Sequence, residues 1–203
     1  MNHNASKGPE DDRKAAVSGH RSADPVRVER RRELRALRDA IGDRDERESR
    51  LAAHVEAWLA AASVRRLGFF WPTRSEPDLA PLIGRWLAAD PSRVAALPVI
   101  EGPLLRFAPW TAATELVGGR FDVMVPPGIK RVEPEVLLIP CVGIDRLRYR
   151  LGYGGGYYDR TLAQMSPRPL TIGIGFDCAR IETIDPMPHD QRMDLAISET
   201  GRW

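Results

Sequence analysis

Two near-continuous apolar runs constrain the fold of this chain more than any other feature. "EVLLIPCVGI" spans 135–144 and "PLTIGIGF" spans 169–176. Each has strand length and lacks the polar alternation of a half-solvated strand, which is the pattern of a strand buried on both faces. Between them, "GYYDRTLAQM" reads as a helix. Upstream the alternation repeats. "VRVERRRELRALRDAIG" predicts a basic helix stopped at Gly42, and "DRDERESRLAAHVEAWLAAASV" a longer amphipathic one with Leu51, Val55, Trp58 and Leu59 at helical spacing. "RRLGFFW" predicts a strand closed by Pro72. "DLAPLIGRWLAAD" predicts a helix with Asp78 as N-cap. "RVAALPVI" and "PLLRFAPW" are further strands, and "HDQRMDLAIS" leads into a last short one. Strands alternating with helices predict an α/β protein: a three-layer α/β/α, Rossmann-like fold with a mainly parallel sheet and helices on both faces.

The first 24 residues are polar and rich in small side chains, and predict a disordered tail before a single domain at 25–203. The tail has no apolar core of a secretory signal, and no run reaches membrane-spanning length, so a cytoplasmic protein without membrane partners is expected. The net charge of +2 gives no argument for nucleic acid. The basic residues are nearly all arginine, lysine occurring only at Lys7, Lys14 and Lys130. Arginine suits bidentate contact with phosphate or carboxylate, although a GC-rich genome would enrich it equally. Cys141 and Cys178 lack zinc spacing and lie in apolar runs, as buried thiols do.

"RLGYGGGYYDR", Arg150 to Arg160, follows the first apolar run. Glycine loses the most backbone entropy on ordering, so Gly152, Gly154, Gly155 and Gly156 within five positions require a tight turn or a close approach to a ligand. Open α/β sheets bind ligands at the carboxyl ends of their strands, and a helix start there offers free N–H groups to a phosphate. The dinucleotide fingerprint fails, since its third glycine would fall on Tyr157 or Asp159. The P-loop, the G-x-S-x-G elbow and a histidine-based triad or zinc site fail as well. A turn packed on its own aromatics would explain the glycines, but leaves Arg150, Tyr157, Tyr158 and Asp159 needing polar partners.

The stretch resembles the signature of the 5-formyltetrahydrofolate cyclo-ligase family, also called methenyltetrahydrofolate synthetases. The resemblance runs from about Arg31 to Thr200 through "RRELR", "FFWPTRSEPD", "ALPVI", "LLIPCVGID" and "PHDQRMD". It implies an enzyme that closes a ring on 5-formyltetrahydrofolate with MgATP, giving 5,10-methenyltetrahydrofolate, ADP and phosphate. It implies ATP contacts from Arg31, Arg35 and Arg150, from Leu151 and Gly152, Tyr153, Gly154, Gly155 and Gly156, and from Tyr157 and Tyr158. Catalytic roles fall on Arg150, Tyr157 and Asp159. Trp71, Glu76, Trp110, Tyr153 and Tyr157 are implied for the folate, Glu76 accepting from the pterin N–H groups. Asp159 and Asp190 are implied for Mg²⁺. The residues alone leave bland readings open: Asp159 as a first-turn helix carboxylate, Asp190 as a turn residue after Pro188, Trp71 as a core tryptophan and Glu76 as a surface glutamate. Arg27, Arg30, Arg32 and Arg38 read as a solvated basic face. The expected partners are small molecules, with no nucleic acid, and the chain is expected to act as a monomer.

The sequence departs from the family pattern in three places. Arginine at Arg31 replaces the usual lysine. Val125 stands before Pro126 where Glu or Gln is common, so a polar contact is missing or comes from elsewhere. Ile144 replaces an aromatic residue. A relative that binds nucleotide or folate without closing the ring is the alternative reading.

Overall fold

The computed structural model describes residues 24–128 and 130–203. The tail predicted for 1–24 lies outside the described residues except for Asp24. That carboxylate caps helix α1 (Pro25–Asp39), accepting the Val26 N–H at 3.0 Å, with Pro25 preset for the first turn. Helix α2 (Arg44–Ala61) follows, then strand β1 (Arg66–Gly68), helix α3 (Ala80–Ala88) and the strands β2 (Val94–Glu101) and β3 (Leu104–Trp110). Asp78 accepts the Ala80 N–H at 2.9 Å, the capping contact expected of it. A small hairpin, β4 (Val117–Gly118) and β5 (Met124–Val125), precedes β6 (Val136–Pro140), β7 (Gly143–Asp145) and β8 (Arg150–Leu151). Helix α4 (Tyr157–Leu162), β9 (Leu170–Ile174), β10 (Arg180–Ile181), β11 (Leu195–Ser198) and β12 (Gly201–Arg202) complete the chain.

The main sheet runs β12-β11-β9-β6-β1-β2-β3. Its five central strands are parallel, and the edge strands β3 and β12 are antiparallel. From β1 the chain adds β2 on one side, and from β6 it adds β9 and β11 on the other. The order therefore reverses between β1 and β6, where an open α/β sheet leaves a crevice at its strand ends.

Successive side chains of a strand point to opposite faces, and the core divides accordingly. Leu67, Leu97, Val136, Leu138, Ile172 and Ile197 pack with Leu51, Val55 and Leu59 of α2 and Ile83 and Trp86 of α3. Ala96, Leu137, Ile139 and Ala196 face the other way, toward Leu162 of α4 and Ile144 of β7. That second layer is only partly helical. It holds the six-residue α4 and a three-stranded sheet, β10-β7-β8, against which α1 buries Leu34 with Val142, Leu151 and Ile184. Leu138 is 1% exposed, and truncating such a side chain to alanine costs about 2–5 kcal/mol.

"EVLLIPCVGI" is not one strand. The main sheet takes it as far as Cys141, whose N–H donates to the Ile174 carbonyl; the Val142 N–H already donates to Leu151 in the small sheet. The glycine-rich turn thus follows β8, not the main-sheet strand. Among the described residues, no helix is long and apolar enough to cross a membrane.

Candidate active site

At the crevice between β1 and β6 lies a cavity of about 450 Å³. The segment after β1 supplies Phe70, Trp71, Thr73, Arg74 and Glu76, and the end of β2 supplies Pro98, Val99 and Ile100. The β4–β5 hairpin adds Gly119, Arg120, Phe121, Val123 and Val125. Arg150 to Asp159 form a continuous wall, met by Arg27 and Arg31 of α1 and by His189 and Asp190.

The glycine-rich wall is held by charge. Arg31 donates from Nε to the Gly152 carbonyl at 2.7 Å. A Cβ on Gly154 would sit 3.5 Å from the Arg31 guanidinium carbon, and its φ of +93° is one that L side chains avoid, so this position requires glycine. Arg150 is 6% exposed. Its Nη2 lies 3.2 Å from Asp159 Oδ2, its guanidinium stacks 5.3 Å from the Tyr158 ring centroid, and its Nε is buried without a partner. Asp159 Oδ1 accepts the Gln191 N–H at 3.0 Å, which pins the 187–193 segment against α4. Arg27 bonds Asp190 Oδ2 at 2.6 Å and the Asp185 carbonyl at 2.8 Å. Burial works against the Asp190 carboxylate, but the bonds from Arg27 and the Met187 N–H outweigh it and lower its pKa.

Glu76 is the acidic group on the aromatic side of the pocket, beside Phe70, Trp71 and Tyr153. It is 6% exposed, and burial raises its pKa against opposing bonds from Thr73 and Tyr153. Oε2 accepts from the Thr73 N–H at 2.9 Å and hydroxyl at 3.2 Å, and Oε1 accepts from the Tyr153 hydroxyl at 2.8 Å. Burial, with Glu76 adding to it, pushes the Tyr153 hydroxyl up to about 12, so it stays a donor at neutral pH. Trp71 is half-buried in the wall. Tyr157 lies beside Phe121, with ring centroids 6.2 Å apart. The cavity thus offers an aromatic surface with a buried carboxylate, and a glycine loop flanked by arginines. The first suits a flat heterocycle with N–H groups and the second a polyanion.

Most residues singled out from the sequence meet here: Arg31, Trp71, Glu76, Arg150, Leu151, Gly152, Tyr153, Gly154, Gly155, Gly156, Tyr157, Tyr158, Asp159 and Asp190 all line the cavity. Arg35 and Trp110 do not. The Arg35 Nε is buried without a partner and the side chain lies off the lining, which instead includes Arg27, one turn before Arg31. Trp110 is core, edge-on to Phe69 at 5.0 Å and 6.3 Å from Trp71, which it backs from behind. The solvated basic face needs correction at three positions. Arg27 and Arg38 are buried, and Arg30 is half-buried, donating to the Thr183 carbonyl at 2.7 Å. Arg32 is exposed, as expected, and pairs with Glu29. Arg27, Arg31 and Arg38 share one helix face at i, i+4 and i+11, but that spacing does not say what the face meets. Arg120, Phe121 and His189 had no sequence signal.

Among the described residues, no group of three or more His, Cys, Asp or Glu gathers as a metal centre. Asp159 and Asp190 each keep lone pairs beyond their arginine contacts and line the same cavity. A Mg²⁺ that draws its other ligands from phosphate oxygens and water needs only one or two carboxylates, so this sparse set fits a nucleotide-borne ion and not an all-protein cage.

A 5-formyltetrahydrofolate cyclo-ligase of Mycolicibacterium smegmatis is 29% identical over 160 residues, covering 72% of this chain and 81% of that protein. The Escherichia coli K12 5-formyltetrahydrofolate cyclo-ligase is 25% identical over 179 residues, covering 84% and 98%. The solved structure of the Aquifex aeolicus 5,10-methenyltetrahydrofolate synthetase superposes with a TM-score of 0.72 at 25% identity, covering 87% of this chain and 91% of that one. The Mycoplasma pneumoniae 5,10-methenyltetrahydrofolate synthetase shares the fold, with a TM-score of 0.70 at 22% identity. The model of the 5-formyltetrahydrofolate cyclo-ligase family matches residues 23–199, nearly the whole described chain, and the protein belongs to that family.

Proposed function

We propose that this protein cyclises 5-formyltetrahydrofolate to 5,10-methenyltetrahydrofolate at the expense of ATP. One observation carries the reading: the arginine-flanked glycine loop and the buried Glu76 open onto one cavity and are joined through Tyr153. A formamide oxygen is a poor leaving group. Transfer of the γ-phosphoryl group from ATP to that oxygen, with departure of ADP, makes it a good one. N10 then attacks the activated formyl carbon and loses its proton, and the C–O bond breaks to release phosphate. The protein's share is positioning and charge stabilisation. Arg31 and Arg150 face the triphosphate, the loop from Gly152 to Gly156 lets the backbone approach it, and Tyr157 closes the space between nucleotide and folate. Glu76 receives the pterin N–H groups, and Trp71 and Phe121 flank the ring. Asp159 and Asp190 would hold a magnesium ion, which screens phosphate charge when bound. Helix α4 is too short to contribute much dipole, so attraction for the nucleotide rests mainly on the arginines. Val125 places an apolar side chain in the lining, leaving Glu76 as the acidic anchor for the folate.

The test is spectrophotometric. The conjugated methenyl product absorbs where the substrate does not. Its appearance only with MgATP, with ADP in equal amount, is the expected result. Nucleotide binding without product would favour a relative that binds and does not close the ring.

A further inference from the structure

Tyr153 lies between Gly152 and Gly154, yet its hydroxyl reaches out of the glycine loop. It is 2.8 Å from Glu76 Oε1 and 2.8 Å from Nη2 of Arg38. With Glu76 ionised, hydrogen-bond chemistry leaves one arrangement for these three groups. Arginine donates and never accepts, so the Tyr153 oxygen accepts from Arg38. Its single proton then points at Glu76. The same Arg38 Nη2 donates to the Arg74 carbonyl at 2.7 Å, in the segment that carries Thr73 and Glu76. Arg38 is 4% exposed, sits in the last turn of α1 and is not itself part of the cavity lining.

We propose that Arg38 is a positioning residue: its guanidinium fixes the Tyr153 hydroxyl as a donor to Glu76 and thereby ties the anchor for the pterin ring to the nucleotide loop. The inference rests on the folate reading of the cavity. A nucleotide that orders the loop also orders Tyr153, and Tyr153 orders Glu76. Folate binding acts back on the loop through the same atoms, because coupling between two binding sites is reciprocal. The charged and titratable groups around Glu76 are Arg38 from α1, Arg74 from its own segment, with its guanidinium 5.3 Å from the Tyr153 ring centroid, Arg150, Tyr153 and Tyr158 from β8 and the glycine-rich segment, and Cys141 after β6. Arg38 is the cation of this set that both bonds Tyr153 and opposes the burial of Glu76. Without it, burial acts on Glu76 with less opposition, and the carboxylate takes up its proton at higher pH.

The experiment measures equilibrium binding of 5-formyltetrahydrofolate with and without magnesium and the β,γ-imido analogue of ATP, across pH. In the wild type the analogue is expected to tighten folate binding about fivefold or more, the usual lower range of such couplings. Arg38→Met is expected to abolish the enhancement, raise the folate KM more than it lowers kcat, and move the acid limb of folate binding to higher pH. A merely structural role would not move that limb. Arg38→Lys, which keeps the charge but not the planar, directed donors of the guanidinium, is expected to restore the limb and only part of the enhancement. Tyr153→Phe removes one hydroxyl, keeps the ring, and is expected to lose the enhancement, so it decides the matter if Arg38→Met does not fold. Wild-type coupling and pH limb in these variants would overturn the inference, as would an analogue without effect on the wild type. A wild type that binds nucleotide but no folate under any condition overturns the folate reading itself.

Discussion

Asp159 does two things at once. It balances Arg150, and its Oδ1 holds the Gln191 N–H. Asp159→Asn keeps an acceptor for Gln191 but leaves the Arg150 guanidinium buried without a carboxylate. Side-chain exposures of 5% and 11% make this a buried pair, and breaking such a pair from one side costs up to about 3–5 kcal/mol. The substitution is expected to lower Tm as well as abolish turnover and its response to magnesium. The double variant Arg150→Met with Asp159→Asn is expected to recover much of the Tm and none of the turnover. Melting curves alongside a magnesium titration separate the two contributions; a stable single variant with normal magnesium dependence would remove Asp159 from the metal. Glu76 has an opposite signature. Burial raises its folded pKa above 4.5, so the folded protein retains a proton that the unfolded chain has lost. Its contribution to stability is full below 4.5 and is lost as pH rises through the folded value. Folate binding needs the ionised acceptor and improves over the same window. Glu76→Gln is expected to flatten both dependences and to raise the folate KM about tenfold to a hundredfold, the loss of a charged hydrogen bond. KM and Tm measured against pH check both signs.

At the scale of elements, β6 and β9 were legible because a strand buried on both faces has no polar side to hide. The break after Cys141 was not legible, since the residues on either side are apolar whichever sheet receives them. The β7–β8 hairpin was missed because β7 continues the same apolar run and β8 is only the two residues Arg150–Leu151. Helix α1 was legible as a helix but not by its faces. A row of arginines reads the same whether it meets water or the carboxylates and carbonyls of distant loops, and only the fold brings Asp190 to Arg27 or Tyr153 to Arg38. The signature stretch placed most of the cavity wall, whereas Phe121, in a short hairpin with no periodicity, gave nothing to read. Strand β1 shows how closely the elements fit at the crevice. A Cβ on Gly68 would lie 2.3 Å from Leu137 Cδ2 and 3.1 Å from Pro134 Cγ. Leucine can rotate away, but the proline ring has little freedom. Gly68→Ala is expected to cost about 1–3 kcal/mol by overpacking. Gly68 leads directly into Phe69, Phe70 and Trp71, so the folate KM should rise more than the KM for ATP. Equal changes in both would place the strain elsewhere.

For the molecule as a whole, α1 acts as a strap. Its arginines reach the Thr183–Asp190 segment through Arg27 and Arg30, the glycine-rich loop through Arg31, and the Arg74 and Tyr153 pair through Arg38. Segments far apart in sequence therefore share one helix as their common support, and losing that helix would cost the cavity several walls together. This sets where the working chain has to begin. The family match starts at residue 23, the first described contact is the Asp24 cap, and the first cavity residue is Arg27. A chain starting at Ala23 keeps all three and is expected to retain wild-type turnover and Tm. Starting one residue beyond Asp24 removes the cap and is expected to cost about 0.5–2 kcal/mol, with turnover at low temperature nearly intact. Starting after Arg31 removes both cavity arginines of the helix and should abolish turnover. Melting and ring-closure assays on the three truncations give a graded series if the strap works this way. A collapse of turnover already at Ala23 would mean that the preceding residues reach the site.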